Sequence, residues 1–141
     1  MKIRKAKKED LNEISDIFKI ESAKKPYFQS WNKKTVFESI IKSFKEQQIY
    51  LAELNNKPAG FIIFSKNETK KIWVDEFWIN SKYQRKGIGK KLLSFIEEMS
   101  IKKGFTNIEC FSHEKSNALK FYQKLNYKEK GKYFLMTKKL K

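Results

Sequence analysis

Residues 83 to 90 read Tyr83-Gln84-Arg85-Lys86-Gly87-Ile88-Gly89-Lys90, a basic, glycine-punctuated turn between an apolar strand pattern ending at Ile79 and a helical pattern starting near Gly89. Glycine lacks a Cβ and tolerates positive φ, so Gly87 and Gly89 are expected to let backbone N–H groups converge at the start of that helix. The helix N-terminus adds partial positive charge there, and Arg85, Lys86 and Lys90 add full charges. The chemistry offered is the holding of a phosphate or pyrophosphate. Metal or thiol chemistry has little material: Cys110 and His113 are the only residues of their kinds, so no zinc set or Cys-His pair is credible. Cys110 is expected in the core.

Gln84-Arg85-Lys86-Gly87-Ile88-Gly89 resembles the acetyl-CoA loop of the GNAT N-acetyltransferase superfamily, written Gln/Arg-x-x-Gly-x-Gly/Ala. Residues 118 to 127, Ala118-Leu119-Lys120-Phe121-Tyr122-Gln123-Lys124-Leu125-Asn126-Tyr127, resemble the family's later helix motif, in which Ala-x-x-Phe-Tyr precedes a small residue and an aromatic. Two motifs in this order and separation are more specific than either alone. The resemblance implies acetyl-CoA as co-substrate, with its pyrophosphate on the backbone amides of Gln84, Arg85, Lys86, Gly87, Ile88, Gly89 and Lys90. Its pantetheine arm would run along Phe77, Trp78 and Ile79, whose main-chain amides would polarise the thioester carbonyl.

The resemblance gives Tyr122 the role of general acid toward the departing sulfur, and a phenol with a pKa near ~10 is suitably protonated at neutral pH. The attacking amine must itself lose a proton, and Glu76 is the candidate base, with Glu109 as a weaker alternative. Strict strand alternation turns the neighbouring Asp75 to the opposite face. Tyr27, Phe28 and Trp31 either line the acceptor site, as the corresponding region of the family often does, or pack as core. The family's asparagine before the helix motif is Lys115 here, which leaves Asn117 as the nearest candidate for a coenzyme contact. Its glycine before the final aromatic is Asn126, which also tolerates positive φ.

Periodicity supplies the elements that must position these groups. Lys2 to Lys5 reads as a strand, and Leu11, Ile14, Ile17 and Phe18 recur at helical spacing behind a candidate N-cap, Asp10. Residues 22 to 32 suit an irregular connection. Thr35 and Glu38 have capping-box spacing before the stripe Phe37, Ile40, Ile41 and Phe44. Gln48 to Leu54 and Gly60 to Ser65 form a hairpin about a turn at residues 55 to 58, and Ile72 to Ile79 reads as a central strand. Gly89 to Lys103 reads as a helix stopped by Gly104. Asn107 to Ser112 is a strand, Ser116 or Asn117 caps a helix carrying Leu119, Tyr122 and Leu125, and residues 127 to 130 and 132 to 140 form a last hairpin. The sum is an α/β protein with a GNAT-like fold, a central, mixed, mostly antiparallel sheet of about seven strands flanked by about four helices, in a single domain over residues 1–141.

A chain of 141 residues with 40% hydrophobic and 15% aromatic residues can bury a continuous core, so general disorder is excluded. The net charge of +16 would ordinarily point to nucleic acid or an anionic membrane, but the lysines are scattered along the sequence rather than clustered. No apolar run approaches a bilayer's span. One cysteine and no signal-like N-terminus suit a reducing cytoplasm. The leading expectation is direct acetyl transfer from acetyl-CoA to a primary amine of a peptide, protein or small metabolite, without metal, membrane or nucleic-acid partner; a homodimer stays open. The alternatives are a basic nucleic-acid-binding domain and a non-catalytic coenzyme-binding regulator.

Overall fold

The computed structural model describes residues 1–141. They divide into two compact units, Met1–Phe111 and Ser112–Lys141. The first holds β1 (Lys2–Lys5), α1 (Leu11–Ser22), α2 (Lys33–Lys45), β2 (Ile49–Leu54), β3 (Lys57–Lys66), β4 (Lys71–Ile79), α3 (Ile88–Lys102) and β5 (Asn107–Glu109); the second holds α4 (Asn117–Lys124). The five strands form one sheet in the order β1-β2-β3-β4-β5. Pairing is antiparallel from β1 to β4 and parallel between β4 and β5.

Why β2 and β3 read as nearly unbroken apolar runs is plain from their burial: the sheet is covered on both faces. Ile49, Leu51, Phe61 and Ile63 pack against Leu11, Ile14, Ile17 and Phe18 of α1 and Val36 and Ile40 of α2. The alternate residues face the other way, where Tyr50 stacks on Phe64 and against Phe95 of α3. On that same side Ala52 and Ala59 pack with Ile88. Asn55 and Asn56, at φ 52° and 62°, make the two-residue turn that this hairpin requires.

Several boundaries differ from the sequence reading for local reasons. Asn32, not Thr35, caps α2, its side-chain oxygen accepting from Thr35 N–H at 2.8 Å. Asp10 stands at the start of α1, but its carboxylate is taken by Arg4 at 2.7 and 3.0 Å and by Lys7 N–H at 2.7 Å. Gly104, at φ 81°, ends α3 as expected, with Phe105 N–H bonded to Ser100 O and Gly104 N–H to Ile101 O, both at 3.0 Å. Cys110 is half-buried rather than core.

The sheet has five strands rather than about seven, because residues 127 to 140 form no hairpin. A two-stranded hairpin is marginal without a sheet or helix to pack against. Here Phe134, Leu135 and Met136 are exposed, and the segment also carries Lys128, Lys130, Lys132, Lys138 and Lys139. The class, a mixed α/β sheet with four α-helices, is as expected.

Candidate active site

The loop after β4 is fixed at both ends. Asn80 opens it by accepting from Lys82 N–H at 3.0 Å. Gln84 reaches back to donate from Nε2 to Ile79 O at 2.8 Å. At the far end Ile88, only 5% exposed, anchors the loop in the packing of Ala52 and Ala59. Between these anchors Arg85 and Gly87 take left-handed conformations, φ 62° and 78°, and Gln84 to Gly87 are exposed. A Cβ on Gly87 would meet nothing within 4 Å, so its backbone faces open space. The first intrahelical bond of α3 runs from Lys91 N–H to Gly87 O at 3.1 Å. The amides of Ile88, Gly89 and Lys90 precede it and have no partner within the helix. Open backbone, orphan amides and the charges of Arg85, Lys86 and Lys90 fit a pyrophosphate. Gly89 does not take the left-handed conformation expected of it, because α3 begins one residue early and Gly89 lies inside its first turn.

β4 carries a bulge. Ile63 pairs with Glu76 and Phe64 with Val74, so Asp75 is an extra residue with no partner across the ladder. Paired residues share a face, and β3 alternates, so Trp73, Glu76 and Trp78 lie on the α1 side, with Val74, Phe77 and Ile79 on the other. The Asp75 carboxylate accepts from Ser65 Oγ at 3.4 Å, and Ser65 pairs with Trp73. Asp75 therefore turns toward the face of Glu76, which corrects the expectation that the two carboxylates point apart: strict alternation does not survive an inserted residue.

Glu76 is held in an aromatic setting. Trp78 Nε1 donates to Glu76 Oε2 at 3.2 Å, Tyr27 stands edge-on to Trp78 with centroids 5.0 Å apart, and Phe18 lies behind at 6.2 Å. Burial pushes the Glu76 carboxyl up to about 7, the Trp78 hydrogen bond opposes this, and the Asp75 charge adds to it. Burial also raises Asp75, with the Ser65 hydroxyl opposing. A carboxyl poised near neutrality suits proton transfer. Glu109, the weaker alternative, is in an ion pair with Lys71 at 3.3 Å.

Of the early aromatics, Tyr27 is brought against Trp78, the indole that donates to Glu76. Phe28 and Trp31, 67% and 42% exposed, instead border an open depression of ≈ 510 Å³ with Ile20 and Ala23. Beyond Trp73, β4 no longer pairs with β5, so the strand ladder on that edge stops before Phe77, Trp78 and Ile79.

In the second unit Tyr122 is buried on α4, its ring 5.4 Å from that of Phe121 and 5.3 Å from that of Tyr127. Asn126 takes φ 67°, as its position was expected to need. Tyr127 N–H then closes on Tyr122 O at 3.0 Å. Ser116 is the N-cap residue and Asn117, exposed, opens the helix. His113 is exposed and its Nδ1 accepts from Lys115 N–H at 3.1 Å, a turn contact. No group of three His, Cys, Asp or Glu side chains is gathered that could hold a metal ion. No helix is long and apolar enough to cross a membrane.

The sequence reading missed Glu21 and Ser81. Glu21, on α1, is buried, and its carboxylate accepts from Ser81 N–H at 3.1 Å and from Ser81 Oγ at 2.7 Å. A signal was present: Leu11, Ile14, Phe18 and Glu21 share the helical stripe that faces the core, and a carboxylate on such a stripe demands partners.

Comparison with known proteins points to one family. The model of the acetyltransferase (GNAT) family matches residues 14–127. A possible acetyltransferase from Clostridium difficile 630 is similar in structure, with 15% identity, 99% of this chain and 98% of that one covered, and a TM-score of 0.82. PaiA N-acetyltransferase from Thermoplasma acidophilum, in complex with coenzyme A, shares 25% identity over 88% of this chain and 87% of that one, with a TM-score of 0.72. An aminoglycoside acetyltransferase from an uncultured soil metagenomic sample, in complex with sisomicin, shares 20% identity over 98% and 96%, again with a TM-score of 0.72. No curated protein matches the sequence.

Proposed function

Because the chain belongs to the acetyltransferase (GNAT) family and is an acetyl-CoA-dependent N-acetyltransferase, we propose that it serves direct transfer to a primary amine, with Glu76 as base and Tyr122 as acid. Acetyl-CoA supplies an activated acetyl thioester. The loop Gln84 to Lys90 grips its pyrophosphate through the orphan amides of α3 and the charges of Arg85, Lys86 and Lys90. The backbone of Phe77, Trp78 and Ile79, beyond the last β4–β5 pair, would offer its main-chain groups to the pantetheine arm. Glu76 Oε takes the proton lost by the attacking ammonium group, directly or through water, and the Tyr122 hydroxyl protonates the leaving sulfur. Asn117 is a further candidate contact with the coenzyme.

A lysine-like amine is neutral in only about one molecule per thousand at pH 7, so a nearby base contributes materially to the rate. The acceptor is a small metabolite amine or a peptide or protein amine. The strong positive charge of the whole chain would repel a polycation at long range, but Asp75 beside Glu76 gives the acceptor side a local negative charge that removes this objection. A reducing cytoplasm suits the free thiol of Cys110.

The observation that carries the reading is the exposed backbone at Gly87, open within 4 Å and followed by the helix N-terminus. Gly87→Glu places a carboxylate in that open space, at a left-handed φ of 78° that a side chain strains locally, so Gly87→Ala, which carries the same strain without the charge, is the control. Calorimetry with acetyl-CoA is expected to show binding by the native protein and a loss of at least roughly 100-fold for Gly87→Glu, with the variant still folded by circular dichroism. Equal binding by the two proteins would move the coenzyme site elsewhere.

A further inference from the structure

We propose that Glu21 is a positioning residue for the coenzyme loop, clamping its entrance from α1 so that the amides beyond Gly87 are presented before the coenzyme arrives; this rests on the acetyl-CoA reading above. The Glu21 carboxylate is 6% exposed and gathers donors from three places. Ser81 gives its backbone N–H at 3.1 Å and its hydroxyl at 2.7 Å from Oε1 and 2.8 Å from Oε2. Gln84 Nε2 lies 3.4 Å from Oε1. Lys24 Nζ lies 3.2 Å from Oε2 and also donates to the Ser81 hydroxyl.

The clamp lies on the loop rather than in the core. Ser81 and Gln84 are exposed loop residues, and Gln84 is the same residue that ties back to Ile79 O. The core contacts of α1 are made by Leu11, Ile14, Ile17 and Phe18, and an apolar residue at position 21 would extend that packing without the desolvation that a buried carboxylate must offset. What the carboxylate adds is a fixed path for residues 81 to 84, and with it the direction in which Arg85 and Gly87 carry the chain into α3. A loop already ordered in its binding shape avoids the ordering cost on association.

The sign of the effect separates this role from simple charge. Coulomb's law alone says that deleting a carboxylate near an anion site tightens binding of an anion. Positioning says the opposite. Glu21→Ala is expected to raise the Kd for acetyl-CoA and the KM for acetyl-CoA roughly tenfold, with kcat at saturating coenzyme within about twofold of native. Glu21→Gln, which keeps one acceptor oxygen for Ser81, is expected to recover part of the loss. Ser81→Ala, at an exposed position that leaves the fold intact, is expected to weaken binding in the same direction and so tests the clamp should Glu21→Ala unfold. Calorimetry on the folded proteins reads the outcome. Unchanged or tighter binding in folded Glu21→Ala and Ser81→Ala, with only the melting temperature lowered, would overturn the proposal. Absence of acetyl-CoA binding by the native protein would instead overturn the coenzyme reading, and the clamp with it.

Discussion

At the scale of single residues, the Glu76 carboxyl ties geometry to a measurable pH profile. A carboxyl held near 7 by burial accepts a proton only once ionised, so kcat/KM for the amine should rise with pH through an apparent value near 7 and lose that limb in Glu76→Gln. Removing the Asp75 charge with Asp75→Asn should move the limb to lower pH. Removing the indole donor with Trp78→Phe should move it to higher pH, because that hydrogen bond favours the ionised form. These opposite shifts exclude a limb that belongs to the substrate. The same group affects folding: its unfolded value of 4.5 lies below its folded value of about 7, so the folded chain holds the extra proton and stability from this site declines as pH rises between the two. Tyr122→Phe should lower kcat by roughly 10²- to 10⁴-fold while calorimetric affinity for acetyl-CoA stays within about twofold. The glycine and asparagine that turn the chain left-handed, Gly87 and Asn126, were legible from residue type. The facing of Asp75 was not, since a period of two carries no mark of an inserted residue, and neither was the partnering of Glu21 with Ser81, sixty residues away.

At the scale of elements, the approach of β3 to β4 sets where the loop begins. Gly60 pairs with Ile79, and a Cβ there would run into Ile79 Cδ1 and lie 3.0 Å from Trp78 O. The first neighbour can swing aside; the carbonyl cannot. Gly60→Val should therefore destabilise the protein by about 1–3 kcal/mol in urea unfolding and weaken coenzyme binding as well, because Ile79 receives the Gln84 side chain. Most elements of the first unit were readable from hydrophobic period and turn residues, and their ends slipped where a side chain chose another partner. Asn32 took the cap of α2 because the chain enters there in extended conformation, something that Thr35-x-x-Glu38 spacing does not encode. The terminal hairpin failed for a different reason: alternation in residues 132 to 140 specifies a strand only if a surface exists to pair with, and sequence pattern is silent on that.

At the scale of the whole molecule, the net charge of +16 acts on the coenzyme as much as on the acceptor. A polyanionic ligand is drawn toward a cationic surface, so the association rate for acetyl-CoA in stopped flow should fall as ionic strength rises from 0.01 M to about 0.15 M, where the Debye length shrinks to ~8 Å. A slope that vanishes when Arg85 and Lys86 are replaced would place the attraction in the loop; one that persists would assign it to the scattered lysines. Composition disclosed the sign of this field, and only the fold disclosed the opposing carboxylate pair within it. The bulge in β4 has one more consequence. Excising Asp75 would restore the alternation of Val74 and Glu76, so every remaining side chain of the strand would keep its present face and the protein should still fold. The straightened strand would, however, lose the bend that follows Trp73, where β5 now lets go. A chain shorter by that one residue would have a more regular β3–β4 ladder but a single carboxylate where two now share a face, which makes the irregularity the feature that doubles the negative charge on that side of the sheet.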